Sequence, residues 1–191
     1  MGLGSEQGGA NRFILWEDVL STAELDAIER LGDRMIQQTA ELALEGEVDR
    51  RVRSTRIAWI RHGPETAALY QRITQLVRHL NETIYRFDIT GIEALQYTVY
   101  HQAEGGHYDW HVDYGPHNPQ PRKLSFSLQL TDPAQYEGCD LQFQVGPQIG
   151  VGSRARGAII AFPSFFLHRV TPITAGVRKS LVVWATGPDF R

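Results

Sequence analysis

Over its first ninety residues the chain carries two stripes of apolar positions at helical spacing, and over its last hundred it breaks into short apolar runs separated by Gly, Pro, Asn and Asp. Leu25, Ile28, Leu31, Met35 and Ile36 form the first stripe. Ahead of it stands Ser21-Thr22-Ala23-Glu24, a capping box in which serine and glutamate satisfy each other's orphan backbone amides, and Gly46 is the expected stop. Arg51 to Ile60 is rich in β-branched and alternating residues and is predicted to be one strand, ended by Gly63-Pro64. Pro64 suits the first position of a second helix, whose stripe is Leu69, Ile73, Leu76, Val77, Leu80 and Ile84. The later runs, 94–100, 124–130, 141–145, 158–162 and 180–185, read as strands of a sandwich or barrel. The expected class is α+β, mainly β: two helices first, then an all-β half.

Composition narrows the picture. With 191 residues, 42% hydrophobic and 21% charged, the chain fits one globular domain with a core large enough to fold unaided. Residues 1–12, MGLGSEQGGANR, are expected to be a flexible tail. The expected domain covers 13–191, with a helical part at 13–90 and a β core at 91–191. A formal net charge of −3 without a run of like charges speaks against nucleic acid and anionic membrane as partners. The single Cys139 excludes an internal disulfide and a cysteine zinc cage and suits a reducing compartment, so cytoplasm is the expected location. Nothing in the pattern fixes an oligomeric state.

The candidate chemistry lies in the β half. Seven His and ten Asp in 191 residues give roughly 0.4 His-x-Asp by chance, so one such motif is weak. This chain has two, His107-Tyr108-Asp109 and His111-Val112-Asp113. In an uninterrupted strand positions 107, 109, 111 and 113 would share one side, and spacing leaves open which pair binds. Four polar groups on one strand face must meet water or gather around something charged. His168 follows the apolar run Ile159 to Leu167 and precedes Arg169-Val170-Thr171-Pro172, which puts it at a strand end or turn. Two histidines and one carboxylate on one face of a metal leave three positions open, as in non-haem Fe(II) oxygenases. Ten residues on, Arg178 offers a planar fork for a carboxylate.

Four stretches, 108–115 (YDWHVDYG), 122–133 (RKLSFSLQLTDP), 136–143 (YEGCDLQF) and 162–180 (FPSFFLHRVTPITAGVRKS), together resemble the prolyl 4-hydroxylase type of Fe(II)- and 2-oxoglutarate-dependent dioxygenases. The resemblance covers about the last hundred residues. It implies a double-stranded β-helix (jelly-roll) core with N-terminal helices packed against it, and it selects His111, Asp113 and His168 as iron ligands, because Tyr108 matches a tyrosine three positions before the first histidine. It further implies Fe(II), 2-oxoglutarate as co-substrate and O2, with Arg178 on the distal carboxylate. Ser180 shares a strand face with Arg178 and adds a hydroxyl, Tyr100 resembles a tyrosine lining that pocket, and Trp184 shares the same face nearer the metal. His107 and Asp109 become neighbours of the site, Trp110 and Lys179 point away from it, and Arg122, Tyr114 and Asn118 are positioned to meet substrate. One departure is Cys139, where relatives commonly carry a second glycine.

The implied reaction hydroxylates an unactivated C–H bond of a prolyl residue, another amino-acid-like molecule or a small natural product, with release of succinate and CO2. Three rivals use parts of the same residue set. A zinc hydrolase lacks an obvious general-base glutamate beside the ligands. A nucleic-acid demethylase of the same superfamily would carry another arginine at Trp184. A non-catalytic jelly-roll binding module would not need Arg178-x-Ser180 together with three ligands.

Overall fold

The computed structural model describes residues 13–42, 52–115 and 120–190. In chain order its elements are β1 (Ile14–Trp16), α1 (Thr22–Leu42), β2 (Arg53–Ser54), β3 (Arg56–Ile60), α2 (Ala67–Leu80), β4 (Gly91–Ile92), β5 (Leu95–His101), β6 (His107–His111), β7 (Arg122–Gln129), β8 (Tyr136–Gly138), β9 (Leu141–Val145), β10 (Gln148–Val151), β11 (Ile159–Pro163), β12 (His168–Val170) and β13 (Ile173–Thr186). The predicted α+β, mainly β layout is present. All pairings are antiparallel, and they form two sheets: β1-β11-β7-β13-β5-β3, with β4 and β8 pairing to β13, and β10-β9-β12-β6-β2.

The large sheet is buried on both faces, and its two faces differ in chemistry. Leu95, Tyr97 and Val99 of β5, Leu124, Phe126 and Leu128 of β7, and Leu181, Val183 and Ala185 of β13 join Ile28, Ile73, Leu76 and Leu80 of the helices in one core. The residues between them point the other way, toward the small sheet: Gln96 and Thr98, Ser125, Ser127 and Gln129, Arg178 and Ser180, all buried. Alternation that ordinarily marks a solvated face here marks a polar interior, open at one end and closed at the other by Tyr100, Cys139, Phe143, Phe162 and Val170.

The capping box forms as expected. Ser21 N donates to Glu24 Oε2 at 2.8 Å, and Glu24 N reaches Ser21 Oγ at 3.3 Å. Gly46, the expected stop of α1, lies outside the described residues. The strand expected at 180–185 begins much earlier, at Ile173, and runs to Thr186 as β13, and two further elements differ from expectation. The predicted strand 51–60 is two strands, because the chain passes from one sheet to the other at Thr55: β2 pairs with β6 and β3 with β5. Helix α2 starts at Ala67, since Gly63 to Thr66 first make a turn in which Thr66 N donates to Gly63 O at 3.1 Å and Thr66 Oγ1 to Arg61 O at 2.8 Å. Its far end runs into a π-turn, Asn81–Tyr85. The wider turn brings Tyr85 fully into the core, where its hydroxyl donates to Ala161 O at 2.8 Å, while Ile84 packs against the core half-buried. No helix among the described residues is long and apolar enough to cross a membrane.

Candidate metal centre

His111 ends β6, His168 begins β12, and the two are direct cross-strand partners in the small sheet. Their pairing is preceded by a bulge. Val170 faces Tyr108, so two residues of β12 are spanned by three of β6, and the side-chain alternation slips by one. That slip explains why 107, 109, 111 and 113 do not share a side. Tyr108 stacks on His111 with ring centroids 3.5 Å apart, while Asp109 is exposed and its carboxylate accepts from Trp110 N at 2.7 Å. His107 Nδ1 is taken up by Gly105 O at 2.8 Å. Neither lines the cavity described below.

Asp113 lies two residues past the strand, in a loop held from the opposite sheet. Ser164 O accepts from both Asp113 N and Tyr114 N, each at 2.9 Å, and Ser125 Oγ donates to Asp113 Oδ2 at 2.7 Å. The carboxylate then stands 3.8 Å from His111 Nε2 and 3.7 Å from His168 Nε2. One ligand atom from each of the three residues falls within 4.8 Å of the others. Each histidine has its Nδ1 against a main-chain oxygen two residues back, His111 to Asp109 O at 2.7 Å and His168 to Phe166 O at 2.8 Å. A carbonyl only accepts, so Nδ1 carries the proton and Nε2 keeps its lone pair toward Asp113. Burial, reinforced by the nearby His168, pushes the His111 pKa down to about 4, which keeps the ring neutral. Burial alone would raise Asp113; the two imidazoles and the Ser125 hydroxyl outweigh it and hold the carboxyl below its ordinary range.

A cavity of about 200 Å³ opens from these three candidate ligands toward β13. Arg178, Ser180, Tyr100 and Trp184 all line it with the three ligands, so the seven residues singled out in the sequence border one space. Arg178 is 2% exposed; Nε and Nη2 donate to Gln129 Oε1 at 3.0 and 2.8 Å, while Nη1 is buried and closes no hydrogen bond of normal geometry, with the weakly accepting Cys139 thiol beside the guanidinium. Tyr100 lies with its ring centroid 5.3 Å from that guanidinium, and burial pushes its phenol up to about 12, against the pull of Arg178. Ser180 is buried opposite Thr98 and Gln129. Trp184 reaches toward Asp113, and its indole N–H helps hold the carboxyl low. Lys179 points to the other face, where it pairs with Glu29 and Asp33 of α1 at 2.9 and 2.8 Å.

Sequence reasoning placed Arg122 by position alone. Its guanidinium stacks 3.8 Å over the Trp184 ring and pairs with Glu93 at 2.7 Å at the mouth of the cavity. Tyr114 instead donates to Asp189 at 3.1 Å, Trp110 packs under Arg169, and Asn118 lies outside the described residues. Ser125, Gln129 and Arg53, which lines the cavity with its guanidinium 4.6 Å over the Tyr108 ring, are not singled out by the sequence. The signal was present for two of them, in the alternation of 124–130, where Ser125, Ser127 and Gln129 occupy the second face of an otherwise apolar strand. Cys139 sits at φ 56 beside Gly138 at φ 68, so the turn is as tight with cysteine as glycine would make it. Buried, its thiol is raised in pKa and stays protonated.

Residues 95–186 match the model of a family described as the 2OG-Fe(II) oxygenase superfamily. Over that stretch, a little under half of its length, the chain is similar to the 2OG-Fe(II) oxygenase superfamily. It is similar to a "PKHD-type hydroxylase" of Synechococcus sp. (strain CC9311), 40% identical over 83 residues, which is 44% of this chain and 37% of that relative. The chain spans less than half the length of this relative and of two similar ones, from Acidovorax ebreus and Synechococcus sp. (strain CC9902). Among solved structures, a Pseudomonas putida prolyl-4-hydroxylase superposes with a TM-score of 0.70 at 19% identity, covering 93% of each chain. A prolyl hydroxylase from Trichoplax adhaerens, in complex with a peptide fragment of the hypoxia inducible factor oxygen degradation domain, gives 0.71 at 19% identity over 92% of this chain and 84% of that one. The fold of this chain is thus the double-stranded β-helix seen in those prolyl hydroxylase structures.

Proposed function

We propose that this chain is an Fe(II)- and 2-oxoglutarate-dependent dioxygenase that hydroxylates an unactivated C–H bond. Overall, 2-oxoglutarate, O2 and R–H become succinate, CO2 and R–OH, which balances in atoms and electrons. His111, Asp113 and His168 would hold the iron, and iron there would supply the redox chemistry that divides O2 between the keto acid and the C–H bond. Arg178 would bind the distal carboxylate, with Ser180, Tyr100 and Trp184 walling the space between. The observation that carries this reading is the pairing, in one cavity, of three converging ligand atoms with a buried guanidinium nitrogen that closes no hydrogen bond of normal geometry. An unpaired buried donor costs on the order of 1–3 kcal/mol, a cost that an anionic ligand would relieve.

Ser125 and Ser164 hold Asp113 in place, the two main-chain carbonyls fix the imidazole tautomers, and Tyr108 supports the face of His111. No side chain is needed as a general base. The substrate is a peptidyl residue or an amino-acid-like small molecule, entering past Arg122 and Trp184; the Trichoplax neighbour's bound peptide supports the peptidyl alternative. The same reading takes residues 13–191 as a single domain working in the cytoplasm, where the lone Cys139 stays reduced.

The test is succinate formation from 2-oxoglutarate with Fe(II) and O2, measured by mass spectrometry. Wild-type protein should form succinate and His168→Ala should fall to background with its fold retained. Turnover by His168→Ala at the wild-type rate would contradict the ligand assignment.

A further inference from the structure

Arg178 cannot offer a carboxylate both of its edges. Its side-on fork, Nε with Nη2, is closed on one oxygen, Gln129 Oε1, at 3.0 and 2.8 Å. Gln129 in turn donates from Nε2 to Ser127 Oγ at 3.1 Å, which fixes the amide so that its oxygen, not its nitrogen, faces the arginine. Both residues are buried, at 2% exposure each, and they sit on neighbouring strands β7 and β13 with Gln129 directly opposite Ser180. Gln129 does not line the cavity; Arg178 does. What remains for a ligand is the end of the guanidinium, where Nη1 is buried and closes no hydrogen bond of normal geometry.

We infer that Gln129 is a positioning residue for the co-substrate: it holds Arg178 by the side so that the end-on edge, led by Nη1, is the one that receives the distal carboxylate of 2-oxoglutarate. This rests on the functional reading above. A long side chain pays for every rotamer it gives up on binding, and one already fixed by two hydrogen bonds has little left to lose. The amide is also neutral. It orients the charge without cancelling it, which a carboxylate in its place would do.

The alternative is that Gln129 merely occupies the fork until a carboxylate displaces it. The two differ in sign, since removing a positioning group weakens the ligand and removing a competitor tightens it. The experiment is calorimetric titration of the Mn(II)-loaded full chain with 2-oxoglutarate and with 2-oxobutyrate, which keeps the keto acid and lacks the distal carboxylate. Gln129→Met should weaken 2-oxoglutarate about tenfold, a change of about 1.4 kcal/mol, leave 2-oxobutyrate unchanged and leave Mn(II) affinity unchanged. Gln129→Glu, which keeps the shape and the oxygen facing Arg178 but turns the amide nitrogen into a second, negatively charged acceptor, should weaken 2-oxoglutarate further by pairing with the guanidinium. Tighter or equal binding of 2-oxoglutarate by Gln129→Met would overturn the assignment, as would an equal loss for both keto acids, the mark of a general packing defect. Failure of the wild-type protein to bind either keto acid would instead overturn the functional reading and leave the Arg178–Gln129 geometry standing.

Discussion

Ser125 Oγ donates its only proton to Asp113 Oδ2 at 2.7 Å. Because that proton is committed, the 2.8 Å contact between Ser125 and Ser164 must run from Ser164 to Ser125, and the chain of donors is directed from the turn after β11 toward the ligand. Ser164 supplies the main-chain oxygen for Asp113 N as well. The carboxylate is therefore aimed by the opposite sheet, and groups that aim a ligand typically control 10- to 100-fold in metal affinity. Ser125→Ala should weaken Mn(II) or Fe(II) binding by about tenfold while thermal stability changes little; equal affinity in the variant would show that the loop backbone alone sets the carboxylate.

On the proposed function, Arg178→Ala would remove one anchor of the co-substrate and no metal ligand. It should raise the 2-oxoglutarate concentration needed for half-maximal succinate formation by at least tenfold, with metal affinity unchanged. Parallel loss of both would mean that the arginine holds the fold rather than the co-substrate.

Acid should loosen the metal-free protein. His111 titrates near 4 in the folded chain, below the unfolded value of about 6.5, so between those values the unfolded chain binds the extra proton. Stability contributed by this group is complete above about 6.5 and is lost as pH falls toward about 4. Asp113, also lowered, adds a loss at still lower pH. Urea midpoints at pH 7 and pH 5 should show the drop, and His111→Gln should flatten it.

Gly32 of α1 lies on the ring of Tyr97: a Cβ there would sit 2.2 Å from Tyr97 Cδ2. The ring cannot swing away, because its hydroxyl donates to Asp33 Oδ1 at 2.7 Å and Asp33 is tied to Lys179. Ala in place of Gly inside a helix ordinarily gains about 0.5–1 kcal/mol. Here the clash, costing about 1–3 kcal/mol, should reverse the sign. Gly32→Ala should lower the melting temperature without changing co-substrate binding.

Much of this was legible because local chemistry and tertiary role coincide. The capping box at Ser21 and the stripe through Ile73, Leu76 and Leu80 each say locally what the fold does with them, whereas spacing does not separate His111 and Asp113 from His107 and Asp109, and the family resemblance does. The misses share one cause, a dependence on partners far away in sequence. The bulge in β6 exists because β12 crosses it, the split at Thr55 because two sheets claim neighbouring residues, and the late start of α2 because Thr66 turns back onto Arg61. Gln129 reads as one more polar strand residue until Arg178 is placed beside it. The start of His168's strand was legible from its place after the apolar run; its Nδ1 partner, Phe166 O, was not.

Cys139 holds a left-handed conformation, φ 56, that costs a non-glycine residue about 1–2 kcal/mol. Cys139→Gly should lift the strain while losing the packed sulfur and come out near neutral. Cys139→Ala keeps the strain and loses the sulfur, and should be the less stable of the two by thermal denaturation.

The central claim is that His111, Asp113 and His168 hold one ferrous ion on which 2-oxoglutarate can chelate while Arg178 grips its far end. Anaerobic addition of 2-oxoglutarate to the Fe(II)-loaded protein tests it most directly. A weak visible charge-transfer band should appear, and it should be absent with Zn(II), whose filled d shell has no such transition. Absence of the band in a sample where calorimetry finds both Fe(II) and 2-oxoglutarate bound would contradict the account.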